Sequence, residues 1–265
     1  MDRPLQNLRG IAATSLLAVA IGVAAHDAQA VSVDVELQLL VDVSGSVDSS
    51  EFALQRDGYA DAFRDQDIID FILDDDDGAR FGQSAAQFIY WSGASQQDVA
   101  VGWTLLDSEA SILAFADAIE ATTRPFGGLT APGSAINFAT PEFDGNGFED
   151  GDLVIDVSGD GVENDGADTS DARDAALAAG VTRINGLPIG GDAAVEAFYA
   201  SDIIGGTGAF SLAASSFDDF EDVVTRKVEF EVTGDTPVIP VPASIPLLLS
   251  GVGMLGALRM RRKSA

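Results

Sequence analysis

The sequence predicts an α/β domain whose doubly wound, mainly parallel six-stranded sheet is flanked by helices. Strand-like and helix-like segments alternate across residues 31–236, the order that feeds a parallel sheet. Several of the strand segments are short, unbroken apolar runs, as in Leu37-Gln38-Leu39-Leu40-Val41 and Leu153-Val154-Ile155-Asp156-Val157, which suit strands buried on both faces. No internal repeat is visible, so a solenoid or propeller is not indicated.

The first strand is expected over Val33–Val43. Asp48-Ser49-Ser50-Glu51 then has the composition of a helix cap, with the helix running from about Phe52 to Phe63 and a short second helix near Ile68–Leu73. Asp74 to Asp77 with Gly78 reads as a solvated turn rather than a calcium loop. Two β-rich runs, Arg80–Trp91 and Val99–Leu106, are separated by Ser92-Gly93-Ala94-Ser95, which predicts a hairpin. Ser108–Thr122 places Ile112, Phe115, Ala116 and Ile119 on one helical face. Arg124–Thr130 is a Gly-rich loop, Ala131–Thr140 a short helix, and residues 141–150 an acidic loop. Beyond the strand at Leu153–Val157 the expected order is helix 168–179, strand 182–189, helix 193–201, strand 208–213 and helix 215–228.

Both ends read as processing signals around one domain. Arg3 and Arg9, the apolar stretch Ile11–Ala25 and the small-x-small Ala28-Gln29-Ala30 follow the order of a secretory signal peptide over residues 1–30. Residues 237–265 form the other segment. Val241–Leu258 is uncharged and short but adequate for a membrane span of about 20 residues, and Arg259, Arg261, Arg262 and Lys263 after it predict a cytoplasmic end. The tail resembles the PEP-CTERM-like signals that exosortases recognise: a short Pro-containing motif, one span and an Arg-rich end. Its Ile239-Pro240-Val241-Pro242-Ala243 is similar to the variant reading Val-Pro-Leu-Pro-Ala and departs from the Pro-Glu-Pro form. The resemblance implies an exosortase-type processing partner and an inner-membrane-anchored precursor whose domain faces the periplasm. Delivery to the cell surface or the extracellular matrix would follow.

Charge and residue types then exclude whole classes of function. Without the signal and the basic tail, eight Lys and Arg face 41 Asp and Glu, a net charge of −33. Nucleic-acid binding needs a basic patch that such a domain lacks. There is no Cys, and the single His is His26, inside the signal segment. A Ser-His-Asp triad, a Cys nucleophile and a conventional zinc site are therefore ruled out. Neither Gly159-Asp160-Gly161 nor Gly205-Gly206-Thr207-Gly208 completes a dinucleotide fingerprint, and no Walker lysine is present. Asp144-Gly145-Asn146-Gly147-Phe148 and Glu163-Asn164-Asp165-Gly166 start like calcium loops but do not keep the ligand register, and read as turns. The expectation is a binding protein and not an enzyme. A carboxylate-dependent hydrolase is the rival, since 41 acids leave paired-carboxylate chemistry open.

Asp42-Val43-Ser44-Gly45-Ser46 sits where the first strand runs out, the end at which such sheets bind ligands. Its Asp and two hydroxyls, at alternating positions, can turn three oxygens toward one point. Thr130 on the Gly-rich loop offers a third hydroxyl, and Asp160 in Ser158-Gly159-Asp160-Gly161 a second carboxylate. Hard divalent cations take oxygen ligands, and Mg²⁺ takes about six of them near 2.1 Å.

Asp-x-Ser-x-Ser, the distant Thr and the later Asp resemble the metal-ion-dependent adhesion site, MIDAS, of von Willebrand factor A (vWA) domains. The resemblance implies a Rossmann-like vWA fold and a metal ligand set of Asp42, Ser44, Ser46, Thr130 and Asp160. The late motif reads Ser158-Gly159-Asp160-Gly161 where Thr-Asp-Gly is commoner. Asp160 rather than Asp156 is expected at the metal, because Asp156 lies inside the strand. Glu51-Phe52, Gln55-Arg56-Asp57-Gly58-Tyr59, Trp91-Ser92-Gly93, Phe126-Gly127-Gly128 and Asn185-Gly186-Leu187-Pro188-Ile189 are similar to one bacterial branch of unknown function, the DUF1194-like domains. The family mechanism implied is that Mg²⁺ (or Ca²⁺ or Mn²⁺) receives an Asp or Glu from a protein or extracellular-matrix partner. The alternative is a metal that only stabilises the loops.

Overall fold

The computed structural model describes residues 30–234, so the expected signal peptide and C-terminal sorting segment lie essentially outside the described residues. In chain order the elements are β1 (Val31–Ser32), β2 (Val35–Asp42), α1 (Ser49–Ala62), α2 (Gln66–Leu73), β3 (Ser84–Trp91), β4 (Gln97–Leu106), α3 (Glu109–Glu120), α4 (Pro132–Ala139), β5 (Phe148–Glu149), β6 (Asp152–Gly159), α5 (Thr169–Ala179), β7 (Arg183–Pro188), α6 (Ala193–Phe198), β8 (Gly205–Gly206) and α7 (Phe220–Thr233). Among the described residues no helix is long and apolar enough to cross a membrane.

The main sheet has six strands in the order β4-β3-β2-β6-β7-β8. The four inner strands are parallel, and β4 and β8 close the edges antiparallel. Every residue of β2, β3 and β7 is buried, as expected of strands covered by helices on both faces. One apolar layer joins Leu37, Leu39 and Val41 of β2 to Tyr59 of α1, Phe115 of α3 and Val224 of α7. The opposite layer joins Leu40 of β2 to Ile136 of α4, Ala172 of α5 and Val195 of α6. The chain leaves β2 for β3 on one side and later fills β6 on the other. A crevice therefore opens above the carboxyl ends of β2 and β6, the switch point at which such folds bind ligands.

Local chemistry sets most boundaries where the sequence places them. Asp48 caps α1 by accepting from the Ser50 and Glu51 amides, while Glu51 accepts from the Asp48 amide at 2.7 Å, a reciprocal capping box. The hairpin of β3 and β4 forms as expected, and Asp76–Gly78 is one 3₁₀ turn. Four expectations need correction. The sixth strand is Gly205–Gly206, not 208–213. A turn at Thr207–Gly208 interrupts the edge, and the Asn185 side chain takes the Phe210 amide, leaving only bridges at Ser211 and Ala214. The last helix begins at Phe220, after a 3₁₀ turn capped by Ser216, and runs five residues beyond 228 to Thr233. Its extra turn is held by Lys227 and Glu231, charges that look solvated in sequence but are fully buried. The helix expected over 193–201 is α-helical only to Phe198 and continues as a π-turn over Tyr199–Ile203. The acidic loop 141–150 contains β5, which pairs in parallel with β1 as a separate two-stranded sheet.

Candidate metal centre

Asp42 is the last residue of β2 and is fully buried. Its Oδ1 accepts from the Ser44 amide at 2.7 Å, which bends the chain back over the strand end. Its Oδ2 is buried with no hydrogen-bond partner. Burial pushes the Asp42 carboxyl up to about 7; the Ser44 hydrogen bonds and Arg124 oppose the shift, and the neighbouring Asp160 charge adds to it. A buried carboxylate oxygen left without a donor is costly. A cation at this spot would remove that cost.

The other four expected ligands are linked to one another, and to Asp42 through Ser44. Ser44 is buried, and its Oγ lies 3.2 Å from the Oγ of exposed Ser46 and 3.5 Å from Oγ1 of Thr130. Ser46 Oγ donates to Asp160 Oδ1 at 2.6 Å. Thus three hydroxyls and two carboxylates, from the loops after β2, before α4 and after β6, meet in one cluster. Among the described residues no group of three or more His, Cys, Asp or Glu gathers as a metal cage. The donor set here is mixed hydroxyl and carboxylate, which fits a hard divalent cation. Asp156 is not part of it. It lies inside β6 on the opposite face, paired with Lys227 Nζ at 2.5 Å and accepting from the Tyr59 hydroxyl at 3.1 Å.

Each loop is held by contacts that the sequence did not announce. Arg124 Nη2 donates to the carbonyls of both Val43 and Ser44 at 2.7 Å, and Gln55 Nε2 of α1 donates to the Asp42 carbonyl at 3.1 Å. The Gly45 amide donates to the Gly128 carbonyl at 2.8 Å, and a Cβ on Gly45 would stand 3.2 Å from that oxygen. The Gly-rich loop therefore comes in close because neither partner carries a side chain. Asn164 brackets Thr130, accepting from its amide at 2.8 Å and donating from its own amide to the Thr130 carbonyl at 3.0 Å. The acids of the second calcium-like loop have other work: Glu163 accepts from the Thr169 amide and hydroxyl, and Asp165 from the Ala94 amide. Beside the cluster an open groove of about 530 Å³ runs from Asp160 past Asp48, Glu51, Asp192 and Asp218.

Solved structures with this architecture include proximal thread matrix protein 1 of the mussel byssus, at a TM-score of 0.57 and 16% identity over 77% of this chain and 49% of that one. The same mussel protein with a zinc-occupied MIDAS motif gives 0.54 and 15%, again over 77% and 49%. A von Willebrand factor type A structure from Catenulispora acidiphila gives 0.53 and 15%, over 76% of this chain and 43% of that one. The chain thus spans about half the length of the mussel protein or less of its other neighbour, and the likeness at these identities is one of fold: a vWA-like α/β domain. No curated protein sequence matches it. The family model described as protein of unknown function (DUF1194) matches residues 32–236, nearly the whole described domain, and the chain belongs to that family.

Proposed function

We propose that the domain is an exported, non-enzymatic binding module in which Asp42, Ser44, Ser46, Thr130 and Asp160 hold one divalent cation, Mg²⁺ by donor chemistry. One observation carries this reading: five oxygen-bearing side chains from three separate chain segments gather at the switch point, and Asp42 Oδ2 is buried without a partner. A zinc-occupied MIDAS motif in a protein of the same fold supports it. When bound, a divalent cation supplies an electrophilic position that an incoming carboxylate can fill. The chain's own residues do the rest. Asp42 and Asp160 supply the charge, the hydroxyls supply weak neutral donors, and Arg124 and Gln55 fix the loop that carries two of them. Two carboxylates neutralise one divalent cation only formally, and hydroxyls donate weakly to it, so the bound cation stays electrophilic toward a partner's Asp or Glu.

The partner is a protein or matrix component presenting such a carboxylate. Export by the N-terminal signal, and sorting through the C-terminal segment to the cell surface, would place the module where such partners are. Calorimetric titration with Mg²⁺, and retention of the domain on an extracellular-matrix fraction with and without chelator, tests the proposal. Wild type should bind Mg²⁺, and both Mg²⁺ binding and retention should be lost in Asp42→Ala and Asp160→Ala while circular dichroism is unchanged. Retention indifferent to chelator overturns the binding role. Wild-type protein that ignores Mg²⁺ overturns the metal site itself.

A further inference from the structure

The centre has a sixth polar group on its inner side. Tyr199, the first residue of the π-turn after α6, is fully buried, and its hydroxyl has no hydrogen-bond partner. A phenol hydroxyl is normally satisfied when buried, because an unmade bond costs its full desolvation. The ring reaches its place through a slot of two glycines on neighbouring strands. A Cβ on Gly186 of β7 would stand 2.8 Å from the ring at Cδ1, and a Cβ on Gly159 of β6 would stand 2.9 Å from the hydroxyl. That same point on Gly159 lies 2.7 Å from Asp42 Oδ2. Two buried, unpartnered polar atoms, one a donor and one a carboxylate oxygen, therefore flank one spot above Gly159. Any side chain at 159 or 186 would block the approach. A tyrosine serving only to fill the core would not need its hydroxyl beside a buried carboxylate.

We propose that Tyr199 is a positioning residue of the metal centre, its hydroxyl donating to Asp42 Oδ2 in the loaded site. This rests on the metal reading given above. Asp42 Oδ1 is committed to the Ser44 amide, so Oδ2 is the oxygen left to face the cation or its water, and it has a lone pair to spare for one donor. The Tyr199 donor favours the ionised carboxylate that the cation needs and holds its plane. A phenol, with an ordinary pKa of about 10, remains a donor through the neutral range. Hydrogen-bond partners of metal ligands act in this way generally, and their loss weakens metal affinity about 10–100-fold.

The test is Tyr199→Phe, which removes one oxygen and keeps the ring, read by Mg²⁺ calorimetry and by thermal unfolding with and without Mg²⁺. The expected result is an affinity about 10-fold or more weaker, with the metal-free variant as stable as wild type or more so, since an unsatisfied hydroxyl has gone. Magnesium should also perturb the near-ultraviolet tyrosine absorbance of wild type, which has only three tyrosines, and this signal should vanish in the variant. If wild type and variant bind Mg²⁺ equally, Tyr199 is a core residue and the inference fails while the metal site stands. If the variant loses metal-free stability and Mg²⁺ affinity is unchanged, its role is packing. If wild type binds no Mg²⁺, both the metal site and the role of Tyr199 fall together.

Discussion

Asp42 meets two opposed demands: its place at the end of a buried strand favours the neutral acid, while a cation needs the carboxylate. Its carboxyl, pushed up to about 7 by burial, records the conflict. Gly159 is what makes the arrangement sterically feasible. A Cβ there would stand 2.7 Å from Asp42 Oδ2 and 2.9 Å from the Tyr199 hydroxyl, closer than real contacts allow. Gly159→Ala should therefore displace Asp42 and abolish Mg²⁺ binding in calorimetry, at a stability cost of about 1–3 kcal/mol from overpacking. Undiminished Mg²⁺ affinity would show that Asp42 is not held where the geometry puts it. At this scale the five ligand candidates were legible, since Asp, Ser and Thr at strand ends leave a pattern in one dimension. Arg124, Gln55, Asn164 and Tyr199 were not. The first three hold a backbone carbonyl or amide, and Tyr199 lies in a slot made by distant glycines; none of these has a sequence period.

The helix α1 joins the site to the fold, because its Gln55 holds the Asp42 carbonyl and its capping box, Asp48 with Glu51, starts two residues after Ser46. Asp48→Ala removes the cap and should cost about 1 kcal/mol in urea unfolding, leaving Mg²⁺ stoichiometry intact. The composition Asp48-Ser49-Ser50-Glu51 announced that cap. Helix α7 was less legible. Lys227 Nζ lies 2.5 Å from both Asp156 Oδ1 and Glu231 Oε1, all three fully buried, and Asn185 donates to Glu231 at 3.0 Å. Lys227→Met leaves two buried carboxylates without their cation and should destabilise the domain by about 3–5 kcal/mol, measured by urea denaturation. A loss below 1 kcal/mol would mean that water reaches the cluster. No periodicity distinguishes such a buried Lys and Glu from the solvated pair that the same i,i+4 spacing makes on a helix surface.

For the molecule as a whole, one ammonium between two buried carboxylates sets a direction of pH response. Burial, with the Asp156 charge acting the same way, pushes the Glu231 carboxyl up to about 7 from an ordinary 4.5. The folded state thus holds this proton more tightly than the unfolded chain. The resulting stability is fully present below about 4.5 and is lost as pH rises through about 7. Metal-free protein in chelator should unfold at higher urea at pH 5 than at pH 8, by an amount on the order of 1–3 kcal/mol. Glu231→Gln should flatten that slope, leaving only the part that Asp42 contributes with the same sign. A slope of opposite sign, or one that Glu231→Gln does not change, removes Glu231 from this role. Composition displays the great acidity of the chain, but not which of its acids are buried.

Order along the chain determined the fold class and the convergence of the five ligand candidates. Apolar runs dictate buried strands, and a parallel sheet sends the loops after its strands to one edge. Only the folded chain decided that α7 extends through a buried ion pair, and that the unpartnered hydroxyl of Tyr199 lies across Gly159 from Asp42 Oδ2. Those outcomes depend on which side chains cross between layers and on what is missing in their path. Such through-space relations join residues as far apart as Asp42 and Tyr199, and no local pattern of residue types encodes them.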